Sequence, residues 1–262
     1  MSSSYWIQTE DWHTAGEPFR IVTDLPINTL PDAPSVAERR LAVLKSPDHP
    51  LNNLRQQLCL EPRGHADMYG GFITPPNDSG AHFGVLFWHA EGFSTACGHG
   101  TIALGFWVVT KGLVEAPKGA DGVVDVFVDV QSGRVVAQVF VKDGKPAHAD
   151  FVNVASYQLE KGLSVDIPSR GVSIVAGLAF GGAVYATVDA AQLGLRVEPK
   201  NANEFVALGR EVKKVLGARA CYDRSFSLWI WDVCKAGDAV GGGKNGGWTV
   251  EADTQIHCGV NI

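Results

Sequence analysis

Apolar and polar residues alternate from Val123 to Val130, stop at Gln131-Ser132-Gly133-Arg134 and resume from Val135 to Val141; this period of two predicts a β-hairpin. One segment has a different pattern. Ile102, Ala103, Leu104, Phe106, Trp107, Val108 and Val109 leave no polar face, which predicts a helix buried on all sides. Further strands are expected near Trp6 to Gln8, Phe19 to Val22, Gly71 to Thr74, His82 to His89, Ala147 to Val154, Ser164 to Ile167, Val172 to Ala179 and Ala183 to Val188. The last two meet at Gly181-Gly182. Between the first two, Asp11 to Pro18 reads as a loop punctuated by Gly and Pro.

Two helices precede the buried one. Ser35 with Glu38 three residues on forms a capping box for a helix through about Lys45, and another spans about Leu51 to Leu58. Asn203 to Leu216 is amphipathic, with Phe205, Leu208, Val212 and Val215 or Leu216 on one side. Beyond Gly217 the periodicity weakens, and Trp229, Trp231 and Trp248 stand in a glycine-rich stretch.

With 45% hydrophobic and 19% charged residues over 262 positions, the chain can bury a sizeable core. A net charge of -6 without a basic run argues against nucleic acid as a partner. Val172 to Val188, the most apolar tract, carries Gly177, Gly181 and Gly182 and stops short of a bilayer span, so no membrane partner is expected. Met1 to Trp6 lacks the basic and apolar regions of a secretory signal, making a cytoplasmic address the default expectation.

The five cysteines form no CxxC pair and do not suggest a disulfide framework. Neither Cys97 with His99 nor His257 with Cys258 has zinc-site spacing, so no metal is expected. Gly241-Gly242-Gly243-Lys244-Asn245 falls short of a phosphate loop, which would need glycine at Asp238 and Ser or Thr at Asn245.

Cys97 opens the buried helix in Ser94-Thr95-Ala96-Cys97-Gly98-His99-Gly100-Thr101. At a helix N-terminus the amides of Gly98, His99 and Gly100 lack intrahelical partners, and their partial positive charge favours a thiolate or holds a carboxylate. A buried structural cysteine at a glycine-rich turn is the alternative reading of the same residues.

Asp11-Trp12-His13-Thr14-Ala15-Gly16-Glu17-Pro18, Glu61-Pro62-Arg63-Gly64-His65-Ala66-Asp67-Met68-Tyr69-Gly70 and Ala96-Cys97-Gly98-His99-Gly100-Thr101-Ile102-Ala103 together resemble the proline racemase family. Gly181-Gly182-Ala183-Val184-Tyr185-Ala186 looks like a later family segment, and the resemblance runs from about residue 6 to 217. Around Met68-Tyr69-Gly70 and Gly84-Val85-Leu86-Phe87 it is nearest to the trans-3-hydroxy-L-proline dehydratases.

The resemblance implies an α+β fold like that of diaminopimelate epimerase: two similar lobes, each a curved sheet around a central helix. The first lobe is then 1-155 and carries Cys97; the second is 156-262, incomplete, with a divergent tail from about 218. It further implies a small-molecule imino acid substrate, no cofactor, Cys97 as the base, and carboxylate binding by the Gly98 and His99 amides. The His99 ring is open to two readings, an aid to protonating a leaving hydroxyl or a structural hydrogen-bonding group. A homodimer is compatible with the resemblance but has no pattern of its own here.

His13, His65, and Arg63 paired with Glu61 or Asp67 are expected to support structure. In the family's second lobe an Asp-Arg-Ser-Pro-(Cys or Thr)-Gly motif opens another helix. Here Asp223-Arg224-Ser225 is followed by Phe226-Ser227-Leu228, and Cys258-Gly259 has too few residues after it to start a helix. Three readings follow: a hydroxyproline dehydratase, a proline or 4-hydroxyproline racemase or epimerase lacking a suitably placed second cysteine, and an inactive or imino-acid-binding relative.

Overall fold

The computed structural model describes residues 6–117, 119–219, 227–231 and 248–249. Contacts divide the chain after Val154 into two compact units.

The first unit opens with β1 (Glu10–Thr14) and β2 (Glu17–Val22), paired antiparallel with Thr14 opposite Glu17. The expected loop from Asp11 to Pro18 is therefore a hairpin, and its first strand begins at Glu10 instead of near Trp6. Ala15 and Gly16 have φ of 50° and 90°, the left-handed pair that lets a two-residue turn match the strand twist. His13 fixes this turn, its Nδ1 accepting the Gly16 amide at 3.3 Å.

Next come α1 (Val36–Leu44) and α2 (Pro50–Cys59). Ser35 caps α1 as expected, accepting the Glu38 amide at 3.2 Å while its hydroxyl donates to Glu38 Oε2 at 2.8 Å. Strands β3 (Tyr69–Thr74), β4 (Phe83–His89) and β5 (Gly92–Phe93) lead into α3 (Gly98–Thr110). The hairpin β6 (Gly122–Val130) and β7 (Gly133–Lys142) and then β8 (Lys145–Val152) follow. In the sheet, the order is β1-β2-β3-β4-β6-β7-β8, with β13 (Trp248–Thr249) beyond β8 and β5 on β4.

α3 touches β1, β2 and β3 from one end of this sheet and β7 and β8 from the other, so the sheet curls around it. That enclosure explains the missing polar face: Thr101 to Gly105 and Trp107 to Val109 are all buried. Side chains such as Leu104 and Val108 each gain about 1.5–3 kcal/mol from burial. Gly105 permits the close approach, because a Cβ there would lie 2.6 Å from that of Ala137 on β7.

β4 is apolar on both faces because both are covered. Val85 and Phe87 join the core around α3, whereas Leu86 and Trp88 join the core beneath α1 and α2. The loop between β3 and β4 hangs on Asp129 of β6, which is 1% exposed. Its carboxylate accepts Arg134 Nε at 2.9 Å and the Asn77 amide at 2.8 Å. Asn77 Oδ1 in turn accepts the amide of Val36 at 2.8 Å, at the first residue of α1.

The second unit pairs β9 (Tyr157–Ile167), β10 (Val172–Phe180) and β11 (Val184–Asp189) antiparallel, with β12 (Ser227–Trp231) parallel to β11. α4 (Ala202–Arg219) buries Phe205, Leu208, Val212 and Leu216, with Val215 partly buried. β9 begins well before Ser164, where solvent-facing residues hide the alternation: Tyr157 to Gly162 are all exposed. Among the described residues, no helix is long and apolar enough to cross a membrane.

Candidate active site

The approach to Cys97 is pinned on both sides. The Ser94 amide donates to the Phe87 carbonyl at 3.0 Å, and the Ser132 amide donates to that of Thr95 at 3.2 Å. Cys97 is extended, with φ -155° and ψ 104°, and is the N-cap of α3. Its carbonyl receives the Thr101 amide at 3.0 Å and the Thr101 hydroxyl at 2.8 Å. These bonds turn the backbone into the helix and hold Sγ at its N-terminus.

Sγ lies 3.5 Å from Nδ1 of His99 and is buried with its residue, which is 7% exposed. Sγ makes no regular capping hydrogen bond, although the Gly100 amide acts on it electrostatically. The Gly98 and His99 amides have no hydrogen-bond partner among the described residues. Among the described residues they are free donors beside the thiol, and a helix N-terminus with free amides favours an anion. Glycine at 98 and 100 is steric: a Cβ on Gly98 would approach the Phe151 ring at 3.3 Å, and one on Gly100 would strike the Phe19 ring.

The His99 ring is enclosed edge-on by Phe19 and Tyr69, with centroids at 6.0 and 5.0 Å. Its Nδ1 lies 3.3 Å from Glu17 Oε1, and the nearby Pro18 carbonyl favours the charged ring without offsetting its burial. Burial lowers its pKa to about 4, so the ring is neutral at neutral pH. Thr14 secures the backbone below, its hydroxyl donating to the His99 carbonyl at 2.9 Å.

The thiol departs from the sequence expectation. Burial pushes the Cys97 thiol up, outweighing the Gly100 amide that pulls it down, and the Glu17 charge pushes it up further. A helix N-terminus favours a thiolate, but a desolvated sulfur with no cationic neighbour among the described residues favours the thiol more. Partial burial likewise raises the Glu17 carboxyl.

Other expected residues lie apart from the thiol. His65 Nδ1 accepts the Asp67 amide at 3.2 Å. Arg63 forms no pair with Glu61 or Asp67; its Nε donates to the Gln57 carbonyl at 2.7 Å, closing the end of α2. Cys59 ends α2 in the core beneath the sheet, its thiol donating to the Met68 carbonyl at 3.4 Å. Cys221, Asp223-Arg224-Ser225, Cys234, His257 and Cys258-Gly259 lie outside the described residues. Sequence reasoning missed Glu17, Thr14 and Tyr69 as neighbours of His99, although each stands in a motif it had singled out.

A family model described as proline racemase matches residues 10–225. The chain is 40% identical to the trans-3-hydroxy-L-proline dehydratase of Azospirillum brasilense over 81% of its own length and 61% of the relative's. It is also 40% identical to a 3-hydroxyproline 2-epimerase of Burkholderia multivorans, over 84% of its own length and 62% of that protein's. Among solved structures, a hydroxyproline epimerase from Agrobacterium vitis with bound trans-4-hydroxy-L-proline superimposes with a TM-score of 0.72 at 27% identity, covering 82% of this chain and 60% of that one. The chain thus spans about three-fifths of the length of the relatives it matches.

Proposed function

Since this chain belongs to the proline racemase family, we propose that it dehydrates trans-3-hydroxy-L-proline to Δ1-pyrroline-2-carboxylate, with Cys97 as the base. The observation that carries this reading is the Cys97 sulfur at the N-terminus of a buried helix, beside the unpartnered Gly98 and His99 amides. The amides bind the substrate carboxylate and stabilise the charge that builds on it when the Cα proton leaves. A cationic ring nitrogen in the bound imino acid brings positive charge to the buried sulfur, favouring the thiolate.

Stereochemistry makes one thiolate sufficient. In the trans substrate the carboxylate and the 3-hydroxyl occupy opposite ring faces, so the Cα hydrogen and the hydroxyl share one face. The Cys97 thiolate takes the proton, forming S–H as the Cα–H bond breaks. The electron pair becomes the C2=C3 bond as C3–O breaks, and the departing hydroxide recovers the proton from the thiol as water. The enamine then moves a proton from nitrogen to C3, giving the cyclic imine. No cofactor is needed. The His99 ring, neutral at working pH, acts as a hydrogen-bonding neighbour of the sulfur and not as a cationic acid.

An epimerase needs a second group on the opposite face to return the proton. The other described cysteine, Cys59, lies in the core on the far side of the sheet from Cys97. Incubation with trans-3-hydroxy-L-proline in deuterium oxide, followed by borohydride reduction, separates the readings. Reduction of the imine to proline supports dehydration. Deuterium at Cα of recovered hydroxyproline without imine assigns an epimerase, and neither product leaves imino acid binding alone.

A further inference from the structure

We propose that Glu17 sets the ionisation of Cys97, as a positioning residue whose carboxylate shares the His99 ring with the thiol. Glu17 Oε1 is 3.3 Å from His99 Nδ1, and the same nitrogen is 3.5 Å from Sγ. The three groups therefore lie within one side chain's reach.

A neutral imidazole has one N–H and one acceptor nitrogen. Nδ1 is the nitrogen within reach of both Glu17 Oε1 and Sγ, and it carries at most one hydrogen for the two. A Glu17 carboxylate that accepts this hydrogen leaves none from Nδ1 for a thiolate, which favours the thiol. A charged Glu17 reinforces that preference by direct repulsion across a partly desolvated site. The resting thiol is consequently held protonated until a cationic ligand compensates Glu17.

Several other charges on the elements around α3 have partners of their own. Glu10 pairs with Lys111 at 2.8 Å at the far end of the helix, and Asp11 pairs with Arg20 at 2.6 Å. On β1, His13 is tied to Gly16; on β7, Arg134 pairs with Asp129 and Asp78. His148 on β8 stacks on Phe140, while Asp150 alternates away from Ala149 and Phe151, which face α3. Lys142 and Lys145 lie at the strand ends where β7 turns into β8. Tyr69 and His89 complete the aromatic side of the site. Glu17 is half-exposed, at 53%, whereas Cys97 is buried.

The inference rests on reading Cys97 as the base, but its test needs no turnover. Iodoacetamide alkylation of Cys97 in the full chain is followed by peptide mass spectrometry from neutral pH up to the alkaline limit of the fold, because the buried thiol ionises above the ordinary thiol range. The midpoint reports ionisation and the alkaline plateau reports access, so a merely structural role moves the plateau alone. Glu17→Gln is expected to lower the midpoint by about one unit, speeding alkylation at neutral pH about tenfold. Glu17→Asp should fall between Gln and wild type, and is read instead if Glu17→Gln does not fold. An unchanged or raised midpoint overturns the proposal. A lowered midpoint in a chain that forms no imine upholds it while removing the dehydratase reading.

Discussion

The Thr14 hydroxyl donates to the carbonyl of His99 at 2.9 Å, across 85 residues of chain. That bond fastens the first hairpin to the opening turn of α3, and the same hairpin delivers Glu17, Pro18 and Phe19 to the His99 ring. Thr14→Val keeps the shape and removes the donor. Urea unfolding should show a loss of about 1 kcal/mol, the usual net worth of such a bond. An unchanged midpoint would mean that packing alone holds the hairpin.

Acid should loosen the first unit through His99. Its folded value of about 4 lies below the ordinary 6.5, so the unfolded chain binds the proton more readily between those values. Stability contributed by the neutral ring is therefore full above about pH 6.5 and is lost on descent toward pH 4, by up to about 3 kcal/mol. The raised Glu17 carboxyl works in the opposite sense and offsets part of the loss. Denaturant titrations across this window should show the decline, and His99→Gln should flatten it.

Gly100→Ala tests how tightly the helix start is packed. Its Cβ would meet the Phe19 ring and lie 2.9 Å from the Cys97 sulfur. Accommodating it requires displacing two buried groups, at about 1–3 kcal/mol. Substrate turnover should fall further than thermal stability, because Sγ is moved from the amides. Equal effects on both would place the damage in the core at large.

Asp129→Asn probes the loop clasp. The substitution weakens the bonds to Arg134 and the Asn77 amide, and through Asn77 the cap on α1. A loss of about 1–3 kcal/mol is expected, with faster amide exchange at Asn77 and Val36. Exchange unchanged at Val36 would separate the cap from the clasp.

Much of the first unit was legible because its signals are local. The capping box at Ser35, the alternation from Val123 to Val141 and the unbroken apolar run of α3 each demand one element. The hairpin at Ala15-Gly16 was not, since a non-glycine residue with positive φ leaves little mark in the sequence. β9 was underestimated because its exposed half has no buried face to show. At the site, Cys97, Gly98 and His99 are contiguous and could be read together. Glu17, Thr14 and Tyr69 reach His99 only through strand pairing and the curl of the sheet, which spacing does not encode. The protonation preference of Cys97 was also hidden, because burial is a property of the fold.

The most direct test compares imine formation from trans-3-hydroxy-L-proline by the wild-type chain and by Cys97→Ser, with unfolding curves confirming that both are folded. Imine from wild type and none from Cys97→Ser is the expected outcome. No imine from wild type, or equal rates from the two, would contradict the assignment of Cys97 as the base.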